Sequence, residues 1–237
     1  MIDISADLAE GSPNEDAIWP MVNSANVACG GHVGDSESMA IASRMARKYG
    51  ITLGAHPSYP DRENFGRKSM SMPHEELRAA LLEQIGSLQF LAEHFDMNVT
   101  RVKAHGALYN DAHRDRALAD ALVDVIIELN PRMAIVCSDS SEMAAAARGR
   151  YVPVIREAFA DRRYEPDGSL TSRSKTGSLL SVDEAAAQAE LLAREGLVIA
   201  SDGSRVTVPF DTLCVHADME HADERLQAIG ARLALCQ

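Results

Sequence analysis

Apolar positions along this chain follow two alternating rhythms. Short β-like runs predict strands at 2–7, 24–29, 51–56, 101–105, 133–138, 153–159 and 212–216, with 206–210 an extra strand or a lead-in to the last one. Between them, apolar residues recur with the 3.6-residue period of a helix. Leu77, Leu81, Ile85, Leu88 and Ala92 form one stripe on a helix starting near His74, and Leu118, Leu122, Val125, Ile126 and Leu129 form another. Ser181 followed by Glu184 is a capping box, in which the serine accepts from a free N–H of the first turn and the glutamate reaches back. Gly50 and Gly196 stand where helices should end, suited to a left-handed closing residue.

About seven βα units follow one another without a break in composition, which predicts a single α/β domain over residues 1–237 with a parallel sheet. A doubly wound sheet and a distorted TIM-like (β/α) barrel share this pattern. The barrel is preferred because chemistry-bearing residues follow nearly every strand, as they do when βα loops converge on one face. Two connections, 57–73 and 160–180, are long, and loops of that length are usually either functional or disordered.

Composition narrows the range of partners. Hydrophobic residues make up 46% of the 237, enough for a full core, and the net charge is -12. Such an acidic chain offers no electrostatic footprint for nucleic acid or an anionic membrane. An anionic small substrate would need a local basic pocket, for which Arg62, Arg67, Lys68 and Lys103 are the candidates. The four cysteines are widely spaced and read as reduced thiols. The first residues carry acids where a signal peptide needs basic and then apolar ones, and no apolar run approaches the roughly 18 residues of a membrane span. Cytoplasm is the expected location.

Four of the eight histidines, His32, His56, His105 and His216, close predicted strands or follow them directly, and the first three lie beside glycines. One such histidine is usually a core residue; four at the same end of successive strands point to a site. His74, His94, His113 and His221 fall on helices or at their ends and are expected to be solvated. Carboxylates accompany the strand-end histidines: Asp7 and Glu10 after the first strand, then Asp35, Asp61, Glu157, Asp161 and Asp218. Asp35 and Asp218 are expected to cap the helices they precede. Asp7, Glu157 and Asp161 are not explained that way and suit a general base, a histidine-orienting group or a metal ligand. A divalent metal held by residues drawn from Asp7, His32, His56, His105 and His216 is a better reading than one built on Cys29 or Cys214, whose spacings match no standard zinc pattern. No nucleotide-binding motif is present: Phe65-Gly66-Arg67-Lys68-Ser69 lacks the preceding glycine of a P-loop. Residues 61–68 are either a basic substrate lid or a solvated loop.

At these motifs the chain resembles the LamB/YcsF family nearly end to end. The resemblance is carried by Ala6-Asp7-Leu8-Ala9-Glu10-Gly11, Ser24-Ala25-Asn26-Val27-Ala28-Cys29-Gly30, Gly54-Ala55-His56-Pro57-Ser58-Tyr59-Pro60-Asp61 and Phe65-Gly66-Arg67. It continues in Val102-Lys103, in His105 to Asn110 with Tyr109, in Glu157 to Arg162 with Tyr164, and in Cys214-Val215-His216. The family usually has Asn, Gly, Phe, Pro and Gly where this chain has Ser5, Ala9, Gly31, Ala104 and Ala217. The resemblance implies a distorted TIM-like barrel related to the glycoside hydrolase/deacetylase group. It also implies opening of the lactam of 5-oxoproline to L-glutamate, coupled to ATP, with partner subunits B and C. On that reading Asp7, His56, His105, Glu157 and Asp161 are catalytic or orient the catalytic groups. Glu10, Asn26, His32, Asp61, Arg67, Lys103, Tyr109, Asn110 and His216 contact the substrate. Two alternatives stand beside it: a metal-dependent amide or N-acyl hydrolase without ATP, and a non-catalytic subunit that binds a small ligand.

Overall fold

The computed structural model describes residues 2–173 and 175–236. Its strands are β1 (Asp3–Leu8), β2 (Ser24–Ala28), β3 (Thr52–His56), β4 (Val99–Val102), β5 (Ala134–Cys137), β6 (Val154–Phe159), β7 (Leu197–Ile199), β8 (Arg205–Thr207) and β9 (Thr212–His216). Seven of them, in the order β1-β2-β3-β4-β5-β6-β9, pair in parallel, and β9 closes back onto β1. The sheet is therefore a closed barrel, not a doubly wound one.

The 206–210 prediction becomes β8, which pairs antiparallel with β7 in a two-stranded ribbon outside the barrel. The strand predicted at 101–105 begins and ends earlier, as β4. After Val102 the backbone keeps only isolated links to the neighbouring chain, Lys103 N–H to the Ala55 carbonyl and His105 N–H to the Pro57 carbonyl, at 2.9 and 2.8 Å. His105 thus precedes a helix instead of ending a strand.

The helices are α1 (Glu15–Ile18), α2 (Ser36–Tyr49), α3 (His74–Glu93), α4 (Gly106–Ala112), α5 (Arg116–Leu129), α6 (Glu142–Gly149), α7 (Val182–Glu195) and α8 (Ala222–Ala234). The predicted α3 stripe is fully buried from Leu77 to Ala92, each leucine or isoleucine contributing about 1.5–3 kcal/mol over an exposed position. On α5, Leu122, Val125 and Ile126 are buried, while Leu118 and Leu129 are only partly covered. Asp35 and Ser181 both form capping boxes, and Gly50 and Gly196 close their helices with left-handed φ of 68° and 66°. Asp218 does not cap α8: that helix starts at Ala222 after a left-handed His221, and the Asp218 carboxylate points elsewhere.

The barrel lumen is polar. On β1, Asp3, Ser5 and Asp7 point one way and Ile4, Ala6 and Leu8 pack into the core on the other. Arg101 Nη1 donates to Asp3 and to Ser24 at 3.1 Å, and Thr212 donates to Ser5 at 3.0 Å. Each of these inward polar groups thus finds a partner across the lumen, and the ladder ends at Asp7 near the C-terminal mouth. Among the described residues, no helix is long and apolar enough to cross a membrane.

Candidate active site

The C-terminal ends of the strands open onto a pocket of about 440 Å³. Its floor is a buried charged network. Lys103 places its ammonium 3.0 Å from Asp7 Oδ1 and 2.7 Å from Glu157 Oε1, and donates to Cys214 Sγ at 3.1 Å. Asn26 Nδ2 donates to Asp7 Oδ1 at 2.9 Å. Asp7 pairs in register with Asn26 on one side and His216 on the other, so closure of the barrel is what assembles this level. Burial opposes the Asp7 carboxylate, but His56 and Lys103 outweigh it and hold the carboxyl well below its ordinary range. Burial likewise opposes the Lys103 ammonium, yet Asp7 above all raises it well above its usual value.

Three histidines and a glutamate stand over this floor. His56 Nδ1–H donates to the Lys103 carbonyl at 2.8 Å, and His105 Nε2–H donates to the Phe65 carbonyl at 3.0 Å. Their other nitrogens face each other at 3.0 Å. Glu10 Oε1 lies 3.8 Å from His56 Nε2 and 3.4 Å from His105 Nδ1. His32 stacks on His105 with centroids 3.7 Å apart, and its Nε2 meets Glu10 Oε1 at 3.0 Å. Burial, followed by the charge of His56, drives His105 down to about 2 and His32 to about 3. His56 is the exception, since Asp7 overcomes burial and raises it. Burial pushes the Glu10 carboxyl up to about 7.

Local backbone geometry makes this convergence feasible. Ala9 takes a left-handed φ of 61°, its N–H donating to Glu15 Oε1 at 2.5 Å, and so turns Glu10 back over the barrel. The 57–73 loop reaches His105 because Gly66 has no side chain: a Cβ there would lie 2.9 Å from His32 Cβ and 3.0 Å from His105 Cδ2.

Across the pocket, His216 Nδ1 lies 3.0 Å from Asp161 Oδ1, and its backbone N–H donates to Asp161 Oδ2 at 2.8 Å. Burial opposes the Asp161 carboxylate, but His216 outweighs it and brings the carboxyl to about 2. At the mouth, Asp218 Oδ2 joins Arg67 at 2.6 Å and Arg173 at 3.5 Å, tying the 57–73 loop to the 160–180 loop. Arg114 and Arg162 line the same pocket, which is locally basic within an acidic chain.

Of the residues singled out from the sequence, Asp7, Glu10, His56, Arg67, Lys103, His105, Tyr109, Asn110 and His216 line the pocket. Asn26, His32 and Asp161 stand behind it, bonded to Asp7, Glu10 and His216. Glu157 is buried beneath Lys103, beside a side cavity of about 60 Å³ that Tyr109 shares. Asp61 is outside the pocket, its carboxylate accepting from Asn64 within its own loop at 2.8 Å. Arg62 is also outside, donating to the Gly30 and Gly34 carbonyls at 2.9 Å. Lys103 is fully engaged with Asp7, Glu157 and Cys214, and Lys68 is exposed outside the pocket, which leaves Arg67 as the sequence candidate that reaches the mouth. Of the metal candidates, His56 and His105 come together, but with Glu10: these three offer ligand atoms within 4.8 Å of one another. Asp7 is held by Lys103 and Asn26, and His216 by Asp161. Sequence reasoning missed Arg114, Thr171 and Arg173 and the bridging role of Asp218; a basic residue in the long 160–180 loop was the available signal. All four cysteines are free, and burial raises the Cys29 thiol to about 12.

A closed parallel barrel with its ionisable pocket at the strand C-termini places the chain in the broad class of (β/α)-barrel proteins that carry their sites on that face. Within that class the chain belongs to the LamB/YcsF family, whose model matches residues 2–236. It is 41% identical over 222 residues to the A subunit of 5-oxoprolinase from Neisseria meningitidis serogroup A, covering 93% of this chain and 91% of the relative. A serogroup B relative of the same name matches equally well. The crystal structure of the lactam utilization protein from Thermus thermophilus superposes with a TM-score of 0.92 at 36% identity, over 99% of this chain and 96% of that one.

Proposed function

We propose that this chain is the A subunit of an ATP-dependent 5-oxoprolinase, opening the lactam of 5-oxoproline to L-glutamate together with subunits B and C in the cytoplasm. The observation that carries the reading is a pocket holding both an oriented carboxylate and an oriented histidine, in a chain 41% identical to proteins of that name.

A lactam is an unactivated amide. Phosphorylation of its oxygen by ATP, with ADP leaving, makes the ring carbon electrophilic. One water adds there and the ring C–N bond breaks with a proton going to nitrogen. This leaves an acyl phosphate that a second water hydrolyses to the carboxylate and free phosphate. The sequence has no P-loop or other familiar nucleotide motif, so on this proposal the nucleotide is held with the partner subunits. Asp7, fixed by Lys103 and Asn26, orients the attacking water. Asp161 holds His216 by Nδ1, which leaves Nε2 to carry the proton to the departing nitrogen. Arg67 and Arg173, now sharing Asp218, receive the substrate's anionic groups.

The test is release of glutamate and ADP from 5-oxoproline and ATP, with the chain alone and with subunits B and C. Turnover is expected only in the full mixture, and Asp7→Ala or His216→Ala should each lower it by about 10²–10⁴-fold. No turnover with B and C that work beside a different member of the family would end the proposal. Unchanged rates in both variants would remove the assigned roles.

A further inference from the structure

The geometry points to a mononuclear site for a divalent transition-metal ion of the zinc class, formed by Glu10 Oε1, His56 Nε2 and His105 Nδ1 and open to the pocket on its remaining side.

The backbone fixes where the protons sit on the two rings. Nδ1 of His56 faces the Lys103 carbonyl and Nε2 of His105 faces the Phe65 carbonyl. A carbonyl oxygen only accepts, so both of those nitrogens carry hydrogen. In the neutral rings, His56 Nε2 and His105 Nδ1 are then lone pairs, and they face each other at 3.0 Å with the Glu10 carboxylate beside them and Asp7 Oδ2 3.4 Å from His56 Nε2. These acceptors converge on one point, with Asp7 at its edge, and together favour a cation there. A single proton shared between the rings satisfies one edge of this triangle and leaves the other two.

A metal ion fits the whole triangle. Its edges are 3.0, 3.4 and 3.8 Å. Metal–ligand bonds of about 2.0–2.1 Å in a tetrahedral site imply ligand–ligand edges of about 3.4 Å. The surroundings match what metal ligands need. Each imidazole donates its far N–H to a backbone carbonyl, which fixes tautomer and orientation, and His32 meets Glu10 at 3.0 Å while stacking on His105. Two imidazoles and one carboxylate select a zinc-like ion over magnesium or calcium, which prefer oxygen ligands. All three ligands line the pocket, so a fourth position faces the space where substrate would sit. An ion held by three protein ligands with one open position is the arrangement that activates a bound water.

This site stands apart from the 5-oxoprolinase reading, because its test measures bound metal and not turnover. The full chain, free of any histidine tag, is stripped with chelator and titrated with Zn²⁺, and with Co²⁺ as a spectroscopic probe. The expected result is one equivalent bound with a Kd tighter than about 10 µM. Visible Co²⁺ bands of a four- or five-coordinate site are expected alongside. Glu10→Gln and His105→Gln should weaken binding by more than the roughly 10–100-fold typical of losing an outer partner, and His32→Ala should fall within that range. His216→Asn, in the same pocket but outside the triangle, should bind as the wild type does. In case a ligand variant fails to fold, ring-nitrogen NMR of the wild type gives an independent reading: Zn²⁺ should shift Nε2 of His56 and Nδ1 of His105. No binding tighter than about 100 µM, or unchanged binding in both ligand variants, overturns the site. Ring nitrogens that respond to pH but not to Zn²⁺ identify the occupant as a proton instead.

Discussion

Lys103 is a single cation between two buried carboxylates, and removing its charge should be among the most destabilising single changes in the barrel. Lys103→Met keeps the unbranched stem and deletes the ammonium. The ammonium lies 3.0 Å from Asp7 and 2.7 Å from Glu157, and both Lys103 and Glu157 are almost fully buried. At an effective dielectric of about 20, each contact corresponds to about 5–6 kcal/mol of gross attraction. Desolvation offsets most of that in the intact network, but the variant leaves Glu157 with no cation and Asp7 with only His56, 3.4 Å away. Removing one partner of a buried pair typically costs about 3–5 kcal/mol. For a chain of this size that is a fall of roughly 6–20 °C in Tm. Urea unfolding at pH 8 measures the loss directly. The double variant Lys103→Met with Glu157→Gln should recover part of it, since one of the stranded charges is then gone. A single variant within about 1 kcal/mol of wild type, or a double variant no more stable than the single one, would refute the account of Lys103 as the electrostatic keystone.

Two further outcomes follow from the same structure. Asp161 has a carboxyl at about 2 in the fold against an ordinary 3.8, so between those values the folded chain holds fewer protons than the unfolded one. That gap corresponds to about 2 kcal/mol of stability, present above pH 4 and lost as pH falls through 2; Asp161→Asn should therefore lose about that much at pH 7, with the difference from wild type closing in acid unfolding curves. Ala9→Gly should raise stability by about 0.5–1 kcal/mol in thermal unfolding, because a left-handed φ of 61° strains alanine and not glycine, while the added freedom of the unfolded glycine chain takes back part of the gain; a destabilised variant would show that the turn is not strained.

The departures from the usual family pattern gain physical meaning only in the fold. Ala9 stands where the family has glycine, and its backbone adopts the conformation that glycine prefers. Gly31 stands where the family has phenylalanine. A Cβ on it would meet Gln84 Oε1 at 2.3 Å, because the Gln84 side chain fills that space and bonds to Ser58 N–H and carbonyl at 2.9 and 3.0 Å. Ala104 and Ala217 are both buried, and Ala104 lines the pocket.

What the linear sequence determined is what depends on neighbours a few residues away. The 3.6-residue stripes of α3 and α5, the capping boxes at Asp35 and Ser181, and the closing turns at Gly50 and Gly196 follow from local periodicity and local hydrogen bonding. So did the succession of βα units that made a barrel the favoured reading. Tertiary structure decided matters that depend on where distant strands end. β4 stops at Val102, and His105 opens the next helix with its ring bonded to the Phe65 carbonyl of the 57–73 loop. Asp218 bridges two arginines and not a helix end, since both long loops reach it across the mouth. Glu10, read from sequence as a substrate contact, joins His56 and His105 because the turn at Ala9 folds it inward. Lys103, read as a substrate cation, is neutralised because barrel closure sets Asp7 and Glu157 on either side of it. Residue types announced the chemistry, but charge pairing acts over a few ångströms in space, and only the closed barrel sets those distances.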